Sequence, residues 1–347
     1  MEYHRLDDSA LRAVIDLRDA YEATLELWRD LGQHEGRMAW KSKGGRDYLY
    51  HVFGKDGNGR SLGPRSADTE ALYAGFRQRK QAIRTTLAHT TPDLRRAAAV
   101  YVAMALPVLD SWSAKLLQHL DREQVLGTAV LVIGTNAMPA YQLEAQVRVG
   151  QRMHATRDMD LAWSAIETPD TAILWPALRE FAPDTTLNQE RPFQARTSDR
   201  HEIELLTAPS VIATAQHEPF ETLPLPEQEW LLLGQPLRHI VAGMDRTATA
   251  LIVPDPRFFA LHKAWLADKP SRDPLKRPKD ARQAAAVWRW LQDGAHFYVC
   301  GDAKRMARDV EAALRDVAAT HGGLSAEASA AFLAELKSKG RYQADVY

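Results

Sequence analysis

Cysteine is nearly absent from this chain, since Cys300 is the only one among 347 residues. A lone thiol excludes an internal disulfide framework and any zinc site built from several cysteines. Chains with so little cysteine are typical of reducing compartments, so we expect a cytoplasmic protein.

Long apolar runs and an excess of one charge are lacking as well. No run of about 18 apolar residues occurs, and the opening residues, MEYHRLDDSALRAV, contain no apolar segment typical of a signal peptide. We therefore expect no membrane partner. The formal net charge is −1, from 44 Lys and Arg against 45 Asp and Glu. No global field therefore marks the chain as a nucleic-acid or membrane binder.

The first part of the chain is mostly helical in its hydrophobic pattern. Apolar residues at helical spacing predict a helix over 8–31, and the alternating, basic segment 38–64 predicts a small β hairpin or meander. A second helix is predicted over 66–91, where Pro92 ends it, and a third over 93–120.

From residue 126 onwards strands and helices are interspersed. We predict strands at 129–133, 157–163, 251–253 and 296–300, a hairpin over 191–207, and helices at 138–149, 171–181, 256–269, 281–294, 302–320 and 325–338. The sequence therefore predicts an α+β fold, with a mixed sheet, flanking helices and a helical C-terminal region. We divide it into segments 1–125, 126–255, 256–286 and 287–347.

Two carboxylates lie on the second of these strands. Asp158 and Asp160 are two positions apart, so both point to the same face of a strand. Neighbouring carboxylates repel each other, and a half-buried strand usually keeps such a pair where a cation, most simply a divalent metal ion, lies between them. The preceding strand ends at Gly134-Thr135.

A strand that ends in glycine and a small hydroxyl residue, a helix, and a strand with two Asp together resemble the nucleotidyltransferase superfamily of DNA polymerase beta. The resemblance implies a catalytic core at 126–255 in which Asp158 and Asp160 hold metal ions. A third carboxylate on a neighbouring strand would complete a two-metal site. Glu204 is the candidate for this acid, although most relatives have Asp there. Glu202, on the same side of the strand, is the alternative.

The same resemblance implies the cofactor and the substrates. Mg²⁺ or Mn²⁺ would be the cofactor. An NTP, ATP included, would place its triphosphate against Gly134 and Thr135, because glycine permits a close approach of the backbone. The acceptor stays open between an RNA end, a protein and a small molecule, since the fold does not choose among them. The alternative function is a non-catalytic nucleotidyltransferase fold that binds or regulates.

A narrower resemblance, to one bacterial family of nucleotidyltransferase-fold proteins, extends over about residues 35–285. It includes the segments KGGRDYLYHVFG and VIGTNAMPAY, and the HK and KxxKD motifs of the helical segment 256–286. The resemblance implies that this segment completes the nucleotide site and that Lys263 and Lys279 bind phosphate.

Other basic residues fit more than one interpretation. His262 could be a packed, hydrogen-bonded side chain or a ligand for the nucleotide site. For Arg272 and Lys276 we favour a solvated basic loop. In the meander, basic side chains are interleaved with aromatic ones. This pattern fits an exposed meander whose aromatic residues belong to the core, and it also fits a surface that binds a polynucleotide acceptor. We favour the first interpretation. These meander residues are Lys41, Lys43, Arg46, Lys55, Arg60, Arg65, Tyr48, Tyr50 and Phe53.

The C-terminal segment carries a different signal. FYVCGD at 297–302, with Met306 and the final Tyr347, resembles the end of the NADPH-dependent sulfite reductase flavoprotein subunit over about residues 287–347. One strand with two helices cannot bury a dinucleotide, so we expect no FAD or NADP and interpret the segment as a fused fragment. Its strand would pair with an edge of the nucleotidyltransferase sheet or pack loosely. A flavin-dependent NADPH reductase is the third function, suggested by this segment alone.

Overall fold

The computed structural model describes residues 3–53, 58–149, 158–270, 272–283, 297–301 and 306–346. It shows the mixed α+β fold that the sequence predicts. The helices are α1 (Asp8–Gln33), α2 (Ala67–Ala103), α3 (Ser111–Arg122), α4 (Met138–Glu144), α5 (Leu174–Phe181), α6 (Gln228–Leu231), α7 (Pro256–Asp268), α8 (277–283), α9 (Met306–Gly322) and α10 (Ala326–Ser338). Among the residues described, no helix combines the length and the hydrophobicity that crossing a membrane requires.

The strands form several sheets. They are β1 (Tyr3–Arg5), β2 (Arg37–Lys43), β3 (Arg46–Val52), β4 (Gly59–Pro64), β5 (Val108–Leu109), β6 (Val130–Val132), β7 (Val147–Val149), β8 (Asp158–Trp163), β9 (Thr186–Leu187), β10 (Gln194–Arg196), β11 (Glu202–Thr207), β12 (Leu223–Pro224), β13 (Leu237–Gly243), β14 (Ala248–Val253), β15 (Phe297–Gly301) and β16 (Tyr342–Val346). The central sheet has the order β6-β8-β11-β10-β9, with β12 beside β11. Strands β8 and β11 are parallel, whereas β6 and β10 are antiparallel to them. The meander β2-β3-β4 and the hairpin β10–β11 confirm two predictions.

A second sheet, β14-β13-β5, contains a strand that the sequence did not predict. β13 pairs with β14 from Leu237 opposite Val253 to Ala242 opposite Ala248, so the predicted strand at 251–253 is the end of a longer one. Ile240 and Val241 are adjacent and both buried. A strand buried on both faces shows no alternation of apolar and polar residues, which hides it from a period-2 pattern.

Helix α2 corrects the prediction that Pro92 ends a helix, because it runs through Pro92 to Ala103. An interior proline costs a helix about 3 kcal/mol. Beyond it, Leu94, Ala98 and Tyr101 are buried in the main core, and each large apolar side chain contributes about 1.5–3 kcal/mol on burial. Packing therefore outweighs the proline.

Two other predicted helices are divided in the structure. The prediction for 93–120 covers the end of α2, strand β5 and helix α3. Helix α3 begins after Asp110, and the carboxylate of Asp110 accepts hydrogen bonds from the backbone N–H groups of Trp112 and Ser113. The prediction for 138–149 covers α4 and then β7, which pairs with β1. In both places a local pattern of helical spacing continues past the residue at which the helix ends.

The C-terminal residues correct the prediction that the strand at 296–300 pairs with an edge of the nucleotidyltransferase sheet or packs loosely. β15 pairs in parallel with β16, from Phe297 opposite Tyr342 to Gly301 opposite Val346. The last residues of the chain therefore supply its neighbouring strand. The predicted helix at 281–294 lies mostly outside the described residues, as do Arg157, Asp302 and Tyr347.

Helix α9 packs against α7 through one hydrophobic cluster. Phe258 and Leu261 of α7 join Val310 and Leu314 of α9 in it. Because α7 also carries His262 and Lys263, the C-terminal residues support the helix on which part of the predicted site lies.

Candidate functional site

The pairing of β8 with β11 brings the predicted carboxylates to one face of the central sheet. Asp158 lies opposite Glu202 and Asp160 opposite Glu204 in this parallel pair. The alternate residues of both strands are buried, while these four acids are half-buried. One face of the two strands therefore packs in the core, and the other presents four carboxylates.

The glycine that precedes these strands in sequence lies against one of the acids. Gly134 has φ +68°, and a Cβ built there would lie 2.0 Å from Oδ2 of Asp160. The backbone N–H of Ile133 donates to the carbonyl of Asp160 at 3.0 Å, and the buried side-chain amide of Asn136 donates to the carbonyl of Asp158 at 3.0 Å. These two hydrogen bonds hold the turn at Gly134–Ala137 against β8. The sequence indicated the glycine, but it contained no signal for Asn136.

We expect Gly134→Ala to weaken binding of Mn²⁺ at least about tenfold, because the added methyl group displaces Asp160. The left-handed backbone adds about 1–2 kcal/mol of instability. Gly44→Ala is the matched control, since Gly44 has φ +59° but nothing lies within 4 Å of the position that a Cβ would take there. Calorimetric Mn²⁺ titration and urea unfolding separate the two effects. Equal Mn²⁺ affinity in both variants would show that the contact with Asp160 does not matter.

A cavity of about 320 Å³ opens beside Asp160 and Glu204. The residues on its opposite side come from helix α7 and the loop that follows. Its polar and charged lining residues are Asp160, Glu204, Glu227, Gln228, His262, Lys263, Lys269, Arg272 and Lys276. The sequence favoured a solvated loop for Arg272 and Lys276, but both line this cavity. Acids on one side and bases on the other suit a metal-bound polyphosphate.

The carboxylates impose an unfavourable charge on one another. Burial and the neighbouring Glu204 raise the pKa of Asp160 to about 6, against an opposing effect of Lys263. A divalent cation bound here would favour the ionised form of Asp160.

Lys263 lies in the cavity wall, but its charge is already partnered. The side chain is 6% exposed, and Nζ donates to Oδ1 of Asp280 at 3.1 Å. Nε of Arg272 donates to Oδ2 of the same carboxylate at 2.8 Å. Burial lowers the pKa of Lys263, and the ion pair with Asp280 partly offsets this effect. Lys279 is half-buried near this group and does not line the cavity.

Two buried side chains in the cavity wall have polar atoms without a hydrogen-bond partner in the described residues. They are Nδ1 of His262 and Oε1 of Gln228, in side chains that are 7% and 1% exposed. Burial, and next the charge of Lys263, hold the pKa of His262 well below its usual value, so the ring is neutral. These atoms are suited to a ligand with hydrogen-bonding groups. Sequence reasoning did not find Gln228.

The three predicted metal ligands are not gathered around one point. Within the described part of the chain, one other set of possible metal ligands has its ligand atoms within 4.8 Å of one another. It consists of His119, Glu123 and Glu180, near α3 and α5. Glu204 is held toward β10, because Nε2 of Gln194 donates to its Oε1 at 3.1 Å. Asp158 does not line the cavity, which Asp160 and Glu204 do.

A comparison with protein-family models bears on this arrangement. A family model described as nucleotidyltransferase matches residues 112–309, which is more than half of the chain. The chain belongs to this nucleotidyltransferase family. The matched range contains the acids, the turn at Gly134–Ala137 and every residue that lines the cavity. Membership in the family supports a transferase, as the resemblance seen in the sequence implied.

Comparison with curated proteins gives the second resemblance. The chain is 52% identical over 121 residues to the sulfite reductase [NADPH] flavoprotein alpha-component of Cronobacter sakazakii, covering 35% of this chain and 20% of that protein. It is 42% identical over 123 residues to the protein of the same description in Escherichia coli K12, with the same coverage. To the protein of the same description in Pectobacterium atrosepticum it is 51% identical over 84 residues, covering 24% of this chain and 14% of that protein.

The chain therefore spans a fifth or less of the length of these curated relatives. The resemblance to the flavoprotein is confirmed, and with 121 residues it is about twice as long as the predicted segment 287–347. The family match runs to residue 309. A junction between residues 286 and 287 stays a prediction.

Proposed function

We propose that this chain transfers a nucleotidyl group from an NTP, ATP included, to an acceptor hydroxyl. The observation that carries the proposal is the register of β8 with β11, which places Glu204 beside Asp160 at a cavity with basic residues on its other side. In the reaction, the acceptor oxygen forms a bond to the α-phosphorus and the bond to the β-phosphate breaks. Pyrophosphate leaves and the hydroxyl proton is released.

Divalent metal ions, Mg²⁺ or Mn²⁺, fit the donor set that these strands present. Asp158, Asp160 and Glu204 offer carboxylate oxygens, which both ions prefer. Burial, and next the charge of Glu204, raise the pKa of Asp160, and a bound cation would offset both effects. When bound, such ions activate the attacking hydroxyl and stabilise the leaving pyrophosphate. Glu204 would turn from Gln194, its partner here, to serve as a ligand.

The remaining residues of the cavity would bind and orient the triphosphate and the rest of the NTP. Lys276 is exposed at the cavity and would contact the phosphates, with Lys263 and Lys279 adding positive charge behind it. Gly134 lines the cavity, and Thr135, the next residue of the turn, does not. At both positions the triphosphate would approach the backbone, which the absent side chain of Gly134 permits. His262 and Gln228 would offer hydrogen bonds to the nucleoside.

We expect Glu204→Gln to lower turnover of NTP by about 10²- to 10³-fold, because a metal ligand worth several kcal/mol is lost. Glu202→Gln is the matched control. Glu202 pairs with Arg196 at 2.6 Å and accepts from Gln194 at 3.0 Å, and it does not line the cavity. Steady-state rates of pyrophosphate release compare the two. If Glu202→Gln proved the more damaging, the assignment of the third acid would be wrong.

The direct test of the proposal uses NTPs labelled at the α-phosphate. The protein is incubated with each labelled NTP, Mn²⁺, and separate pools of RNA, protein and small molecules from a cell extract. We expect covalent label in one pool, together with an equal amount of pyrophosphate. Tight binding of NTP and metal with no pyrophosphate would contradict transfer and support the non-catalytic alternative.

A second candidate is a flavin-dependent NADPH reductase, favoured by the identity of 52% to a flavoprotein component. The absorbance spectrum of the purified protein tests it, before and after incubation with FAD. A flavin spectrum with NADPH oxidation would support this candidate, and a colourless protein that does not retain FAD would exclude it.

A further inference from the structure

Positive charge is concentrated in one segment of this nearly neutral chain. Residues 35–84 contain eleven Lys and Arg against five Asp and Glu, a formal charge of +6, whereas the whole chain carries −1. The segment forms the meander β2-β3-β4 and the first half of α2. None of the residues that line the cavity of the proposed active site belongs to it.

A groove of about 630 Å³ lies in this segment, between β2 and α2. No Asp or Glu is among the lining residues that the structure describes. The cations and aromatic rings in its lining are Arg37, Tyr73, Phe76, Arg77, Lys80 and Arg84. Such a groove is complementary to a polyanion.

The cations of the groove are available to a ligand. Arg37, Arg77 and Arg84 are exposed, and within the described ranges none of them forms a salt bridge with a carboxylate. Lys80 instead fixes the groove wall, since its Nζ donates to the carbonyls of His34, at 2.7 Å, and Gly36. Burial, and next the nearby Arg84, lower the pKa of Lys80, against an opposing effect of Glu35.

The cations on α2 form a row along the groove. Arg77, Lys80 and Arg84 recur at three and four residues and so share one side of α2. Seven residues of helix rise about 10 Å, so this row of positive charge extends along the helix and suits an extended polyanion.

Two aromatic rings lie among these cations. Tyr73 and Phe76 are half-buried in the groove, with the Arg77 guanidinium 5.5 Å from the ring centre of Tyr73 and the Lys80 ammonium 5.4 Å from that of Phe76. Aromatic rings beside phosphate-binding cations are typical of surfaces for unpaired bases. A concave groove also suits a flexible strand better than the convex surface of a duplex.

We propose that this groove binds single-stranded nucleic acid.

The test is binding of a fluorescent single-stranded RNA of about 20 nucleotides, a length that covers one site, without NTP or metal. Each phosphate contact to a single strand contributes about 0.7 to the slope of log affinity against log salt, so the three exposed arginines of the groove predict a slope of about −2. Arg77→Ala/Arg84→Ala should reduce the steepness of this slope by about 1.4 and weaken binding at least about tenfold at low salt.

The control is Arg95→Ala/Arg96→Ala, which removes two exposed arginines farther along the same helix and outside the groove. This variant should bind RNA as the parent does. An equal loss in both variants, no loss in the first, tighter binding of the matching duplex, or equal competition by polyglutamate would each overturn the inference.

Calorimetry with Mn²⁺ and NTP separates this inference from the proposed function. If the parent binds NTP but not RNA, the groove inference alone fails. If it binds RNA as expected but neither binds nor turns over NTP, the proposed function alone fails.

Discussion

The Asp160→Asn variant is expected to lose about 10³-fold or more of NTP turnover and to be more stable than the parent when no metal is present. The loss follows because a neutral amide is a poor ligand for Mg²⁺ or Mn²⁺, and metal ions supply several kcal/mol of stabilisation in the transition state. The gain follows because burial and Glu204 disfavour the charge of Asp160 in the folded state.

The gain in stability has a defined dependence on pH. The pKa of Asp160 is about 6 in the folded protein, against 3.8 for an ordinary Asp. Between these values the folded state binds more protons than the unfolded state, so the parent loses stability as the pH rises from about 4 to about 6. The full shift corresponds to about 3 kcal/mol. Because the side chain is half-buried, we expect about 1–2 kcal/mol in favour of Asp160→Asn above pH 6.

Urea unfolding in EDTA across this pH range, repeated with Mn²⁺, measures both effects. Mn²⁺ should raise the free energy of unfolding of the parent and leave that of Asp160→Asn nearly unchanged. A variant that is less stable than the parent at pH 7 without metal, or equally stabilised by Mn²⁺, would contradict the assignment of Asp160.

The Asp280→Ala variant is expected to lose about 3–5 kcal/mol of stability, because it leaves the Lys263 ammonium in the cavity wall without its partner. Asp280 is 2% exposed and is paired with both Lys263 and Arg272. The double variant Lys263→Met/Asp280→Leu removes the charge as well as its partner, so it should recover most of the loss.

The control for this prediction is Glu70→Ala, which breaks the exposed ion pair of Glu70 with Arg65. Exposed pairs are worth at most about 1 kcal/mol. Urea unfolding of the three variants tests whether the loss of stability comes from an unpaired buried charge and not from the loss of an ion pair in general. An Asp280→Ala variant within about 0.5 kcal/mol of the parent would contradict it.

Local sequence patterns predicted the elements that carry the proposed site better than they predicted how those elements meet. The alternation of Asp158 and Asp160 and that of Glu202 and Glu204 can be read along one strand. The pairing of Asp160 with Glu204 cannot, because it depends on the register between two strands that lie about forty residues apart. The sequence predicted Glu204 as the third acid, with Glu202 as the alternative, but it could not show which of them lies opposite Asp160.

The same distinction explains what was missed. The ion pair of Lys263 with Asp280 and the unpartnered atoms of His262 and Gln228 arise where distant segments meet. The effect of Pro92 was outweighed by burial of the residues after it. β15 pairs with β16, some forty residues later. Each result depends on tertiary packing, which no local pattern contains.

Calorimetric titration of NTP in the presence of Mn²⁺, with pyrophosphate measured in the same samples, tests the central proposal most directly. The parent is compared with the Asp158→Ala/Asp160→Ala double variant. We predict that the parent binds NTP only with Mn²⁺ and releases pyrophosphate when the acceptor is supplied, and that the double variant does neither. Equal metal-dependent binding and turnover in the double variant would show that the acids of β8 are not the metal site.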